Sequence, residues 1–171
     1  MKPSNTDVKL QIESLLAEFN SVRAELVEAV LSVPPELRDE PFVGPWDVRD
    51  VIAHTVGWDD TNVEALPDFR AGRLPAFFAR YDSDWSAINA DLIARYRVED
   101  WGRLMTSLYD SQRAFVDAMR VLRDADLDNV SLWGKRRVSP RGMMRAVARG
   151  EAQHVAQVLQ FVASRQRMRN G

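Results

Sequence analysis

The sequence predicts an all-α fold, and three observations carry that expectation. Four long segments of the 171-residue chain place apolar residues at steps of three and four, the spacing of a helix with one buried face. No segment sustains the two-residue alternation with β-branched enrichment that marks a strand. Prolines and capping residues fall between the periodic segments or at their starts rather than in their interiors.

The first helix is expected from about Thr6 to Leu31, where Val8, Ile12, Leu15, Phe19, Val22, Leu26 and Val30 repeat along one face before the Pro34-Pro35 pair. After a loop holding Pro41, Gly44 and Pro45, Asp47 is placed to cap a second helix. Asp50 in its first turn suits the positive end of the helix dipole, and this helix is expected to reach about Ala65. Pro67, Gly72 and Pro75 then break the pattern ahead of a shorter helix from about Ser83 to Tyr96. Trp101, Leu108, Phe115 and Leu122 repeat every seven residues within a third long helix over Val98 to Leu122, with Leu104, Met105 and Met119 on the same stripe. The polar segment from Asp124 to Val138 reads as a loop. Ser139-Pro140 then supplies a cap and a proline at the first helical position for a fourth long helix, expected to run to about Gln166. Four such helices imply a four-helix bundle in one domain over residues 1–171, with a long connection between the second and third.

Composition narrows the function classes. A chain of this length buries roughly 70% of its unfolded surface and needs no staple. With no cysteine, thiolate metal sites, disulfides and a cysteine nucleophile are excluded, so a metal would have to be held by histidine and carboxylate. A net charge of −2 gives no electrostatic footprint for nucleic acid. The one basic run, Lys135, Arg136 and Arg137 followed by Arg141 and Arg145, reads as a solvated loop entering a helix. No stretch approaches the roughly 18 apolar residues of a membrane span, and the start of the chain has no signal-peptide pattern. A cytoplasmic location without membrane or nucleic-acid partners is expected.

The chain has two histidines, each on a separate helical segment. Val51, His54 and Trp58 share a face of the second helix; Val147, Glu151, His154, Val158 and Phe161 share one of the fourth. A carboxylate on an apolar stripe is costly unless it is paired or bound to a cation, so Glu151 demands a partner. One reading is a divalent metal site held by His54, His154 and Glu151, with Glu151 as ligand or as the catalytic base. The other makes His54 a hydrogen-bonded core residue and pairs Glu151 with His154 or with an arginine such as Arg149. The acidic cluster Asp59, Asp60 and Glu64 reads as a solvated face, with Asp59 near enough to approach a site from its edge.

The segment from Trp46 to Trp58, W-D-V-R-D-V-I-A-H-T-V-G-W, resembles the second-helix motif of the DinB/YfiT-like superfamily. The stretch G-E-A-Q-H-V-A-Q-V, from Gly150 to Val158, resembles its last-helix motif H-x-x-x-H-x-x-Q-[IL], with Gly150 where that motif has a ligand. The resemblance implies a homodimer acting on a small-molecule substrate by thiol transfer, isomerisation or hydrolysis. His54 and His154 would be ligands of Zn²⁺ or Ni²⁺, and a low-molecular-weight thiol is an expected cofactor, as in the related mycothiol-dependent maleylpyruvate isomerases. The chain is also similar to the DfsB and colibactin self-resistance branch, which implies a metal-free protective or binding protein. A pocket would then draw on Trp58, Tyr81, Trp85 and Trp133.

Overall fold

Helices dominate the computed structural model, which describes residues 5–80 and 84–169. The four long helices are α1 (Asn5–Leu31), α2 (Val48–Arg70), α5 (Trp101–Arg120) and α7 (Pro140–Arg169). Between them lie the shorter α3 (Ala76–Arg80), α4 (Trp85–Tyr96) and α6 (Asp124–Leu127), and a hairpin of β1 (Ser131–Trp133) and β2 (Arg136–Val138).

The helix starts follow the capping residues. Asp47 accepts from the backbone N–H groups of Arg49 and Asp50, and the Asp50 carboxylate accepts from the Asp47 N–H, closing a capping box. The Asp84 and Asp100 side chains cap α4 and α5 by accepting from backbone N–H groups, without the reciprocal half of a box. Ser139 Oγ accepts from the Gly142 N–H ahead of α7. Helix α2 runs past its expected end at Ala65 and carries Pro67 inside it. Burial explains the extension: Phe69 is fully enclosed and meets Phe78 edge-on at 6.3 Å, so the last turn is held by packing although proline lacks its N–H.

The segment expected to be a polar loop forms the antiparallel hairpin instead, with Trp133 opposite Arg136. Gly134, at φ 56°, supplies the positive backbone angle that a two-residue turn requires. Ser131 and Trp133 point inward while Leu132 faces solvent. Three-residue strands are too short to leave an alternation in the sequence.

Helix α1 packs mainly on α7 and α2 mainly on α5, with further contact between α2 and α7 and between α1 and α5. Their apolar residues form two clusters. One contains Leu16, Phe19, Phe69, Phe115, Met119 and Met144; the other contains Leu26, Val30, Val51, Ile52, Leu104, Leu108 and Val158. Each fully buried leucine or phenylalanine contributes about 1.5–3 kcal/mol relative to exposure. Between the clusters runs a polar layer to which each long helix gives one buried residue: Arg23, Asp59, Ser111 and Glu151. Among the described residues no helix is long and apolar enough to cross a membrane.

Candidate functional site

The polar layer accounts for Glu151. Arg23 Nε and Nη2 donate to the two Glu151 oxygens at 2.7 and 2.6 Å, while Nη1 and Nη2 donate to the two Asp59 oxygens at 2.9 and 3.0 Å. Ser111 Oγ adds a donor to Asp59 at 2.7 Å. Arg23 and Asp59 are 0% exposed and Glu151 3%, so three charges sit out of water with every carboxylate oxygen occupied. Burial pushes the Glu151 and Asp59 carboxyls up, against the opposing pull of Arg23. Burial alone would lower Arg23, but its two carboxylate partners outweigh that and raise it.

This geometry brings in residues that the sequence reading passed over. Arg23 falls on the α1 stripe four after Phe19 and three before Leu26, so an arginine in register with the apolar face was the available signal. Asp59 was read as part of a solvated cluster. It is instead fully buried, four residues after buried Thr55 and three before buried Asn62, and only Glu64 of that cluster is exposed.

The two histidines do converge. Their ring centroids lie 5.2 Å apart at 82°, beside Trp46, whose ring is 4.9 Å from His54 and 6.2 Å from His154. His154 Nδ1 bonds Gln157 Oε1 at 2.9 Å. With that oxygen as the acceptor, the contact orients the ring and favours the tautomer that carries its proton on Nδ1. His54 Nδ1 is buried and has no hydrogen-bond partner. Burial, with a smaller contribution from His154, pushes the His54 imidazole down to about 3, and burial lowers His154 as well. Both rings are therefore neutral near pH 7.

Neutral imidazoles about 5 Å apart suit a shared first-row ion, given ligand bonds of about 2.1 Å. The donor set stops there. Gly150 occupies the first position of the last-helix motif, where that motif has a ligand, and a Cβ built on it meets nothing within 4 Å. Both oxygens of Glu151 are taken by Arg23. Among the described residues no group of three or more histidine, aspartate and glutamate side chains is placed to hold a metal. The residues present thus do not make a three-donor metal site.

A cavity of about 550 Å³ opens between α2, α7, α4 and the hairpin, with His54 on its wall. Trp58, Trp85 and Trp133 form one continuous aromatic surface: Trp58 and Trp85 are 5.4 Å apart, and Trp85 meets Trp133 edge-on at 4.7 Å. Trp58 Nε1 donates to Asn89 Oδ1 at 3.0 Å, which fixes its ring. Gly57 lets α4 come close enough for that bond, since a Cβ there would stand 2.8 Å from Leu92 Cβ. All three tryptophans named from the sequence as pocket candidates, Trp58, Trp85 and Trp133, stand on its wall. Tyr81 lies outside the described residues. Arg136 and Arg137 of the basic run are exposed, as expected, but stand on β2 rather than in a loop and line this cavity at its rim, whereas Arg141 pairs with Asp128 at 2.7 Å.

The family model of the DinB superfamily matches residues 18–158. No curated protein and no solved structure matches the chain.

Proposed function

The chain belongs to the DinB superfamily, and from that premise we propose that it binds a small molecule with a flat apolar body in the tryptophan-lined cavity, against the His54 imidazole, without a metal ion. The aromatic surface of Trp58, Trp85 and Trp133 around about 550 Å³ carries this reading. Such surfaces hold planar ligands by offset stacking, and the volume is that of a small-molecule site. In this reading the four-helix bundle is the frame, and Arg23 with its two carboxylates holds α1, α2 and α7 in register.

The imidazoles supply polarity at one end of the cavity. His54, pushed down to about 3, is too weak a base to take a proton efficiently near neutral pH. It serves as a hydrogen-bonding edge for the bound molecule, and Gln157 orients His154 beside it. Glu151 takes no part in chemistry here because Arg23 occupies both of its oxygens. The outcome is a protective or binding protein that sequesters its ligand.

The metal-dependent reading, with thiol transfer, isomerisation or hydrolysis as the reaction, has one observation in its favour. The two neutral imidazoles lie close together and His54 Nδ1 has no partner.

Titration of EDTA-dialysed protein with naphthamide, followed by tryptophan fluorescence, tests the proposal. Saturable binding near one equivalent, weakened about tenfold or more in Trp58→Ala, is expected. No saturable binding, or binding that appears only after Zn²⁺ or Ni²⁺ is restored, would overturn it.

A further inference from the structure

Among the described residues the charge around the cavity is one-sided: Arg136, Arg137 and Arg149 line it and no described carboxylate does. Among the described residues none of the three has an ion-pair partner, in contrast to Arg141 and Arg123 nearby, which are held by Asp128 and Asp126. Arg136 is positioned rather than free to wander: its guanidinium carbon lies 5.7 Å from the ring centroids of both Trp85 and Trp133. Cross-strand pairing explains the placement, because Arg136 is opposite Trp133 in the hairpin and so projects from the same face.

A second, independent observation lies in the cavity wall. Asn62 is 1% exposed and Trp133 3%, and both line the cavity. Asn62 Nδ2 and Trp133 Nε1 have no hydrogen-bond partner. Buried donors left unpaired are costly, and two on one cavity wall indicate an acceptor that the protein itself does not provide.

We infer that the ligand is an organic carboxylate: a planar apolar body lying on the tryptophans, an anionic group at Arg136, Arg137 and Arg149, and oxygen atoms that accept from Asn62 and Trp133. A carboxylate matches the guanidinium fork in two parallel hydrogen bonds, and arginine rather than lysine at the rim favours that geometry. The inference rests on the small-molecule reading of the cavity and adds the charge of what enters it.

Naphthoate and naphthamide share the same body and differ in charge, so titrating both into the full-length protein separates the two claims. Naphthoate is expected to bind about tenfold or more tightly than naphthamide at low salt, with the advantage shrinking as salt is raised. Arg136→Gln and Arg149→Gln, both at exposed positions, are expected to weaken naphthoate far more than naphthamide and so to erase most of that advantage. Equal affinity for the two probes, or an advantage that survives both substitutions, would overturn the carboxylate inference and leave the cavity reading standing. Binding of neither probe would overturn both.

Discussion

Replacing Arg23 with methionine removes the guanidinium from the polar layer and leaves the carboxylates of Asp59 and Glu151 beside each other in the core. Both are essentially inaccessible to water, and four charge-assisted hydrogen bonds of 2.6–3.0 Å disappear. Breaking a buried ion pair in this manner costs about 3–5 kcal/mol. At roughly 2–4 °C per kcal/mol for a chain of this size, the melting temperature should fall on the order of 10 °C. The milder Glu151→Gln keeps the shape but sets an amide N–H against an arginine N–H, for a loss of about 1–3 kcal/mol. The pH dependence has a definite sign. Burial already raises both carboxyls in the folded protein, and loss of Arg23 raises them further. A folded state that holds protons the unfolded state has released gains stability as pH falls. The deficit of Arg23→Met relative to wild type should therefore narrow between pH 7 and pH 5. Thermal unfolding of both proteins by circular dichroism at the two pH values measures this, with wild type cancelling the contribution of the histidines. A variant melting within about 2 °C of wild type at pH 7, or a deficit that does not change with pH, would refute the account of the layer.

Three further outcomes are expected. His54, pushed down to about 3, cannot take up the proton that the unfolded chain accepts near pH 6.5. Its contribution to stability is present above that pH and is lost as pH falls toward 3, by about 1.4 kcal/mol per unit, so His54→Gln should flatten the acid limb of a urea-unfolding series. Gly150→His places a third imidazole where a Cβ meets nothing within 4 Å, beside His54 and His154. Calorimetric titration should show Zn²⁺ affinity rising about tenfold or more over wild type, and equal affinity would mean that the new ring does not join the pair. Gly57→Ala should destabilise by about 1–3 kcal/mol in chemical denaturation despite the higher helix propensity of alanine, because its Cβ would stand 2.8 Å from Leu92 Cβ.

Helical periodicity and capping chemistry determined where the four long helices lie and which face each buries, because both are local properties of the chain. Asp47, Asp100 and Ser139 start helices where their spacing from the apolar stripes requires. His54 and His154 could be assigned inward faces for the same reason. What sits opposite an inward residue is not local. Glu151 is bound by Arg23, 128 positions away, and a stripe pattern states only that a partner is needed. Packing likewise decided that Asp59 is enclosed and that α2 continues through Pro67 to seat Phe69. The cavity is lined from α2, α4, α7 and the hairpin, which brings Trp58 together with Trp85, Trp133 and Arg136 from shorter elements whose periodicity is weak or absent. Sequence alone determined the helices and the need for a counter-charge; tertiary contact, which depends on helix pairing over long separations, decided who meets that need and left two neutral imidazoles beside an arginine-rimmed cavity.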